Sequence, residues 1–160
     1  MEHPIVSAVT DDTSEAKVTI QGVPDRPGIA AQLFGSIADR SINIDMIVQN
    51  TSEAGLTDIS FTVAREDLAA TMAVCEEVAP ALGAAGVSSD DGIGRVSLVG
   101  AGMKSYPGVT AKMFTTLAEA GINIEMISTS SIRISCVIRA DRVEEAVRKL
   151  HDAFELGAAS

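Results

Sequence analysis

The sequence of 160 residues contains no tryptophan and only five aromatic residues: Phe34, Phe61, Phe114, Phe154 and Tyr106. A surface that stacks nucleobases needs aromatic platforms, so single-stranded nucleic acid is a poor partner. Basic residues are scarce too. Against 22 Asp and Glu there are 12 Lys and Arg, which leaves a net charge of -10, the wrong sign for a phosphate backbone. No apolar run approaches the ~18 residues that suggest a membrane span. Residues 1–15 lack a basic start followed by an apolar stretch, so no signal peptide is expected. The two cysteines, Cys75 and Cys136, are solitary within apolar periodic segments and read as small buried hydrophobes, which suits a reducing cytoplasm. His3 and His151 are far apart and have no ligand-like spacing around them, so no metal site is expected. There is no Ser/His/Asp set and no Cys/His pair at useful spacing, so no enzyme activity is expected. The acidic pairs Glu76-Glu77 and Asp90-Asp91 are adjacent in sequence and read as solvated surface. Gly92-Ile93-Gly94 and Gly100-Ala101-Gly102 lack the dinucleotide spacing and read as turns, so no cofactor is expected.

What is present is an ordinary globular composition, 46% hydrophobic and 21% charged, long enough for one domain or two small ones. An internal repeat decides between them. Pro27-Gly28-Ile29-Ala30-Ala31-Gln32-Leu33-Phe34 lies over Pro107-Gly108-Val109-Thr110-Ala111-Lys112-Met113-Phe114. Ile42-Asn43-Ile44-Asp45-Met46-Ile47 lies over Ile122-Asn123-Ile124-Glu125-Met126-Ile127. Upstream, Val18-Thr19-Ile20 matches Val96-Ser97-Leu98, and downstream Ile59-Ser60-Phe61 matches Ile134-Ser135-Cys136. The offset drifts between these pairs, as insertions in turns would produce.

Periodicity assigns the elements. Val18 and Ile20 alternate with polar neighbours, a half-buried strand. Over 30–40, Leu33, Phe34, Ile37 and Ala38 make one helical stripe, with Pro27 suited to its first turn. Ile42, Ile44, Met46 and Val48 alternate, as do Ile59, Phe61 and Val63, with a turn over 51–55 between them. Leu68, Met72, Cys75 and Ala79 form a second stripe, expected to end at Pro80, and a short strand follows over 84–89. Each unit is therefore β-α-β-β-α-β, an α+β ferredoxin-like fold with helices on one face of an antiparallel sheet. The second unit repeats this with strand 95–100, helix 108–120, strands 122–129 and 132–139, and helix 141–154, but has no chain left for a fourth strand. The β-like segment Ile5-Val6-Ser7-Ala8-Val9-Thr10 is expected to supply it. The expected domains are 14–92, and 93–157 with the N-terminal strand 4–11.

The stretch Gly22-Val23-Pro24-Asp25-Arg26-Pro27-Gly28-Ile29-Ala30 ahead of an amphipathic helix, followed by Ile42-Asn43-Ile44-Asp45, resembles the ACT domain, a small-molecule-sensing module. The tandem arrangement is more specific. Residues 14–19, Val48-Gln49-Asn50, residues 96–103 and residues 127–135 resemble the regulatory region of aspartokinases, and the resemblance covers 4–157. It implies a non-catalytic chain that senses threonine together with lysine and restrains aspartate phosphorylation, the first step toward lysine, threonine and methionine. In that family the region also occurs as a separate β subunit paired with a full-length α subunit, and Met1 just ahead of the region fits this form. An ACT-mediated homodimer is also implied. The alternative is an amino-acid sensor that controls a different enzyme or regulator.

A free amino acid offers a carboxylate and an ammonium close together. The open N–H groups of a helix N-terminus suit the carboxylate, and Gly28, Ile29 and Ala30 would supply them. Gly28, without a Cβ, allows close approach. Asp25 would accept from the ammonium or a hydroxyl, and Gln49 offers both a donor and an acceptor. The resemblance places the strand of a neighbouring ACT domain opposite this loop. The expected effector site therefore joins Asp25, Pro27, Gly28, Ile29, Ala30 and Gln49 to Asn123, Ile124 and Glu125. Each has a plainer reading: Asp25 as a helix-dipole partner, Pro27-Gly28 as a turn leading into a helix, Asn123 as a local backbone partner. Met46 and Met126 read as core, and Arg133 and Arg139 as solvated strand-face charges. The second loop aligns Ser105 with Asp25 and is longer, so it is expected to be a different, weaker or empty site. At Ser131 the resemblance calls for an acidic residue, and serine there implies altered feedback or altered response to the second effector.

Overall fold

The computed structural model describes residues 6–52, 54–101 and 106–156. The chain opens with β1 (Val6–Asp12) and then folds β2 (Glu15–Pro24), α1 (Ile29–Ala38), β3 (Ile44–Thr51), β4 (Leu56–Ala64), α2 (Leu68–Leu82) and β5 (Gly86–Asp90). It continues through β6 (Ile93–Gly100), α3 (Pro107–Glu119), β7 (Met126–Thr129), β8 (Arg133–Arg139) and α4 (Val143–Ala153). Two units result. One is Ser14–Asp91; the other joins the residues up to Thr13 to those from Gly92 on. Each holds one four-stranded antiparallel sheet, of order β3-β4-β2-β5 in the first and β1-β6-β8-β7 in the second. The fold is thus two ferredoxin-like α+β units, and β1 takes the fourth place in the second sheet, antiparallel to β6, with Val9 opposite Leu98.

Strand alternation sends Val18, Ile20, Ile59 and Phe61 to one face, where Leu33 and Ile37 of α1 and Val74 and Cys75 of α2 close a core. Phe34 meets Phe61 edge-on at 5.5 Å. The second unit repeats the plan with Val96, Leu98, Cys136, Met113, Leu117 and Leu150. Truncating Leu33 or Leu117, both without exposure, would cost about 2–5 kcal/mol. On the opposite face the repeat persists in polar form. Thr19 and Ser60 pair their hydroxyls at 2.9 Å, and their counterparts Ser97 and Ser135 do so at 2.7 Å. Arg65 ties the two ends of the first unit together, its backbone N–H donating to the Ser14 carbonyl at 2.9 Å and its guanidinium to the Asp91 carbonyl.

Four expectations change. Helix α1 begins at Ile29, so Pro27 stands ahead of it and Gly28 is its N-cap; Ile29, rather than the exposed Ala38, joins the buried stripe. Pro80 does not end α2, which runs on to Leu82. In a last turn proline removes only one donor, and the helix stops instead at Gly83, φ +74°, where the N–H groups of Gly83 and Ala84 close on Pro80 and Ala79. The ladder of β7 starts at Met126, so Asn123, Ile124 and Glu125 lie on the approach to that strand rather than in it. Arg139 is not simply solvated: its Nε donates to Glu125 Oε2 at 2.8 Å.

Candidate functional site

The site is set by a break in β2. Gly22, at φ +64°, donates its N–H to Asp58 Oδ1 at 2.8 Å, and the register with β4 shifts between Ile20 and Val23. A Cβ at Gly22 would lie 2.9 Å from that of Ala85, so this bulge requires glycine. Beyond it, Val23 and Pro24 pair with Thr57 and Leu56. The Asp25 N–H then donates to the Gly55 carbonyl at 2.9 Å, which pins the loop to the β3–β4 turn. At Gly28, φ +92°, the chain turns into α1. The first helical bond is from the Gln32 N–H to the Gly28 carbonyl at 2.9 Å, and the preceding N–H groups have no intrahelical acceptor. Gly28 has no side chain to cap them, and the first turn of α1 carries no acidic residue.

These elements enclose a pocket of about 190 Å³. Asp25, Pro27, Gly28, Ile29, Ala30 and Gln49 all line it. Arg26, within the expected loop, also lines it, and Pro24, Thr57 and Ile59, which were missed in the sequence, complete the lining. Thr57 was findable, because one further step of the Ile59, Phe61, Val63 alternation lands on it. Gln49 lies directly opposite Ile59 in the ladder, two residues short of the end of β3. The volume is below the ~300–1,000 Å³ of drug-sized sites and suits a small ligand. The lining residues bring open helix N–H groups, a guanidinium, a carboxylate and a carboxamide to one small pocket. That arrangement complements a small zwitterion.

Asn123 is exposed, Ile124 and Glu125 are half-buried, and the Glu125 carboxylate is held by Arg139. The second unit starts its helix differently. There α3 begins at Pro107, which has no N–H, and the Val109 N–H already donates to the Tyr106 carbonyl at 3.0 Å. Met103, Lys104 and Ser105 lie outside the described residues. Ser131 stands exposed in the turn between β7 and β8. Both thiols are buried. Cys136 is pushed up to about 12 by burial, and Cys75 to about 11 by burial and the neighbouring Glu76 charge, so neither is a nucleophile at neutral pH. Among the described residues no group of His, Cys, Asp and Glu is placed to hold a metal, and no helix is long and apolar enough to cross a membrane.

A doubled four-stranded sheet with paired helices, and a small pocket where a helix begins, define a tandem ACT-domain protein. The ACT-domain family pattern matches residues 18–78 and 96–154. Aspartokinase from Mycolicibacterium smegmatis is 50% identical over 159 residues, covering 98% of this chain and 38% of that protein. The figures for aspartokinase from Corynebacterium efficiens are 48%, 98% and 38%, so the chain spans well under half the length of these relatives. Among solved structures, a chain of aspartokinase alpha and beta subunits is 48% identical with a TM-score of 0.89, covering 94% of this chain and 99% of that one. The ligand-free regulatory subunit of aspartate kinase from Thermus thermophilus is 39% identical, with a TM-score of 0.90 and the same coverage. The chain belongs to the aspartokinase regulatory ACT-domain family.

Proposed function

We propose that this chain is the non-catalytic regulatory part of a cytoplasmic aspartokinase. It binds threonine, in concert with lysine, and relays feedback inhibition to aspartate phosphorylation. The observation that carries this reading is the pocket of about 190 Å³ that gathers Asp25, Pro27, Gly28, Ile29, Ala30 and Gln49. The threonine carboxylate sits at the N–H groups of Ile29 and Ala30, and its ammonium at Asp25. Two chains pair through ACT sheets, and segment 123–125 of a second copy closes the site, with exposed Asn123 as the contacting side chain. An aspartokinase catalytic subunit is the partner that reads the result. Threonine acts by binding one packing of the domains more tightly than the other, and that packing holds the kinase inactive. The helix start at Pro107 leaves fewer free donors, which supports a weaker or different second site.

The test is titration calorimetry of the chain with threonine, with and without lysine, followed by kinase assays with a catalytic subunit. Threonine is expected to bind, and Asp25→Ala to weaken it about tenfold or more. No binding, or equal binding by the variant, overturns the assignment.

A further inference from the structure

We infer that Thr57 reads the side chain of the ligand in this pocket, its hydroxyl selecting a short β-hydroxylated amino acid over an apolar one of the same shape. The inference rests on the reading of the pocket as an amino-acid site. Thr57 is only 4% exposed, yet it lines the pocket beside Ile59, which is fully buried. A buried hydroxyl costs free energy unless it is well bonded. The side-chain partner of Thr57 is Thr51, directly across the ladder, with the two Oγ1 atoms 3.4 Å apart. Good hydroxyl bonds are near ~2.7–2.8 Å, so this one is long and leaves Thr57 able to engage a better partner.

The fold does not require a hydroxyl at this position. Ile20 pairs with Ile59 in the first unit as Leu98 pairs with Ile134 in the second, so Ile132 is the counterpart of Thr57. Ile132 is 60% exposed. The repeat thus buries a hydroxyl where the pocket is, and exposes an isoleucine at the same register elsewhere. What both units share is the apolar sheet and the Pro-Gly pair ahead of the first helix. The buried hydroxyl at the ladder end belongs to the first unit alone, where the pocket is. A site built to bond a hydroxyl discriminates strongly against the analogue that lacks it, because the group left behind goes unpaired.

The experiment is calorimetry on the intact chain with threonine, valine and 2-aminobutyrate, using the parent, Thr57→Val and Thr57→Ser. The parent is expected to prefer threonine over valine by about 100-fold or more. Thr57→Val should weaken threonine about tenfold and bring the threonine-to-valine ratio below about ten, while Thr57→Ser keeps the ratio. Thr57→Ala replaces Thr57→Val if that variant fails to fold, with the same collapse expected. A parent that binds threonine, with a ratio unchanged in a folded Thr57→Val or Thr57→Ala, overturns the role of Thr57 and leaves the pocket standing. A parent that binds no amino acid overturns the reading of the pocket itself.

Discussion

Ser41 and Gly121 occupy the same position after their helices, and both are left-handed, at φ +60° and φ +72°. In each, the reversal closes the same pair of bonds. The Ser41 N–H donates to Ala38 at 2.9 Å and the Ile42 N–H to Ile37 at 3.4 Å; the Gly121 N–H donates to Ala118 and the Ile122 N–H to Leu117, both at 2.9 Å. A non-glycine residue in this conformation costs ~1–2 kcal/mol, partly offset by the extra chain entropy that glycine loses. Ser41→Gly is therefore expected to raise stability by about 0.5–1 kcal/mol, and Gly121→Ser to lower it similarly. Urea unfolding would read this as a shift in midpoint at constant slope. A lower midpoint for Ser41→Gly would contradict the shared geometry.

Gly28 and Gly108 align in sequence and differ in backbone. A Cβ at either would meet nothing within 4 Å, but only Gly28 has a left-handed φ, +92°. Gly28→Ala should cost about 1–2 kcal/mol, whereas Gly108→Ala, inside the first turn of α3, should be neutral or gain up to about 1 kcal/mol. Thermal melts of the two variants should move apart, and a common shift would mean that α1 and α3 start in the same way.

Gly94 is a contact glycine. A Cβ there would collide with Val143 Cγ2 and press on Thr13 Cγ2 at 3.2 Å. Gly94→Ala should cost about 1–3 kcal/mol by overpacking. Trimming the neighbour should relieve it, so Gly94→Ala with Val143→Ala should cost less than the two single changes summed. Strict additivity in this cycle would place the strain elsewhere.

The thiols predict an alkaline limit. Burial raises Cys75 and Cys136 from an ordinary 9.0 to about 11 and about 12, so the folded state favours the protonated thiol. That contribution is whole below the unfolded value and is lost as pH rises through the folded ones. Stability should thus fall between about pH 9 and 12, and more gently in Cys75→Ala than in the parent. A disulfide-exchange reagent at pH 8 should label both thiols only after unfolding; prompt labelling of the native chain would show that they are accessible.

Much of the fold was legible because both units state it. Leu33 and Met113, or Ile59 and Ile134, appear twice at matching periods, and a doubled pattern is hard to misread. The misreadings fell where one local signal serves two geometries. Pro-Gly opens α1 with glycine as the cap and α3 with proline as its first residue. Ile122 and Ile124 continue an alternation that the ladder takes up only at Met126. In the pocket, Asp25, Gly28 and Gln49 were readable from side-chain chemistry. The bond from the Gly22 N–H to Asp58, which sets the loop, joins residues 36 apart and leaves no local trace.

The pairing of β1 with β6 gives the protein a schedule. Val6 finds its ladder partner at Gly100, after the whole of Ser14–Asp91 has been made. At the usual ~5–20 residues per second of synthesis, the first strand emerges roughly 5–20 s before the edge that receives it. The unit in between can fold meanwhile, and its completion draws the two waiting segments together. β1 is thus made well before the strand it pairs with, and folding of the second unit during synthesis depends on a segment that must stay unpaired until its turn comes.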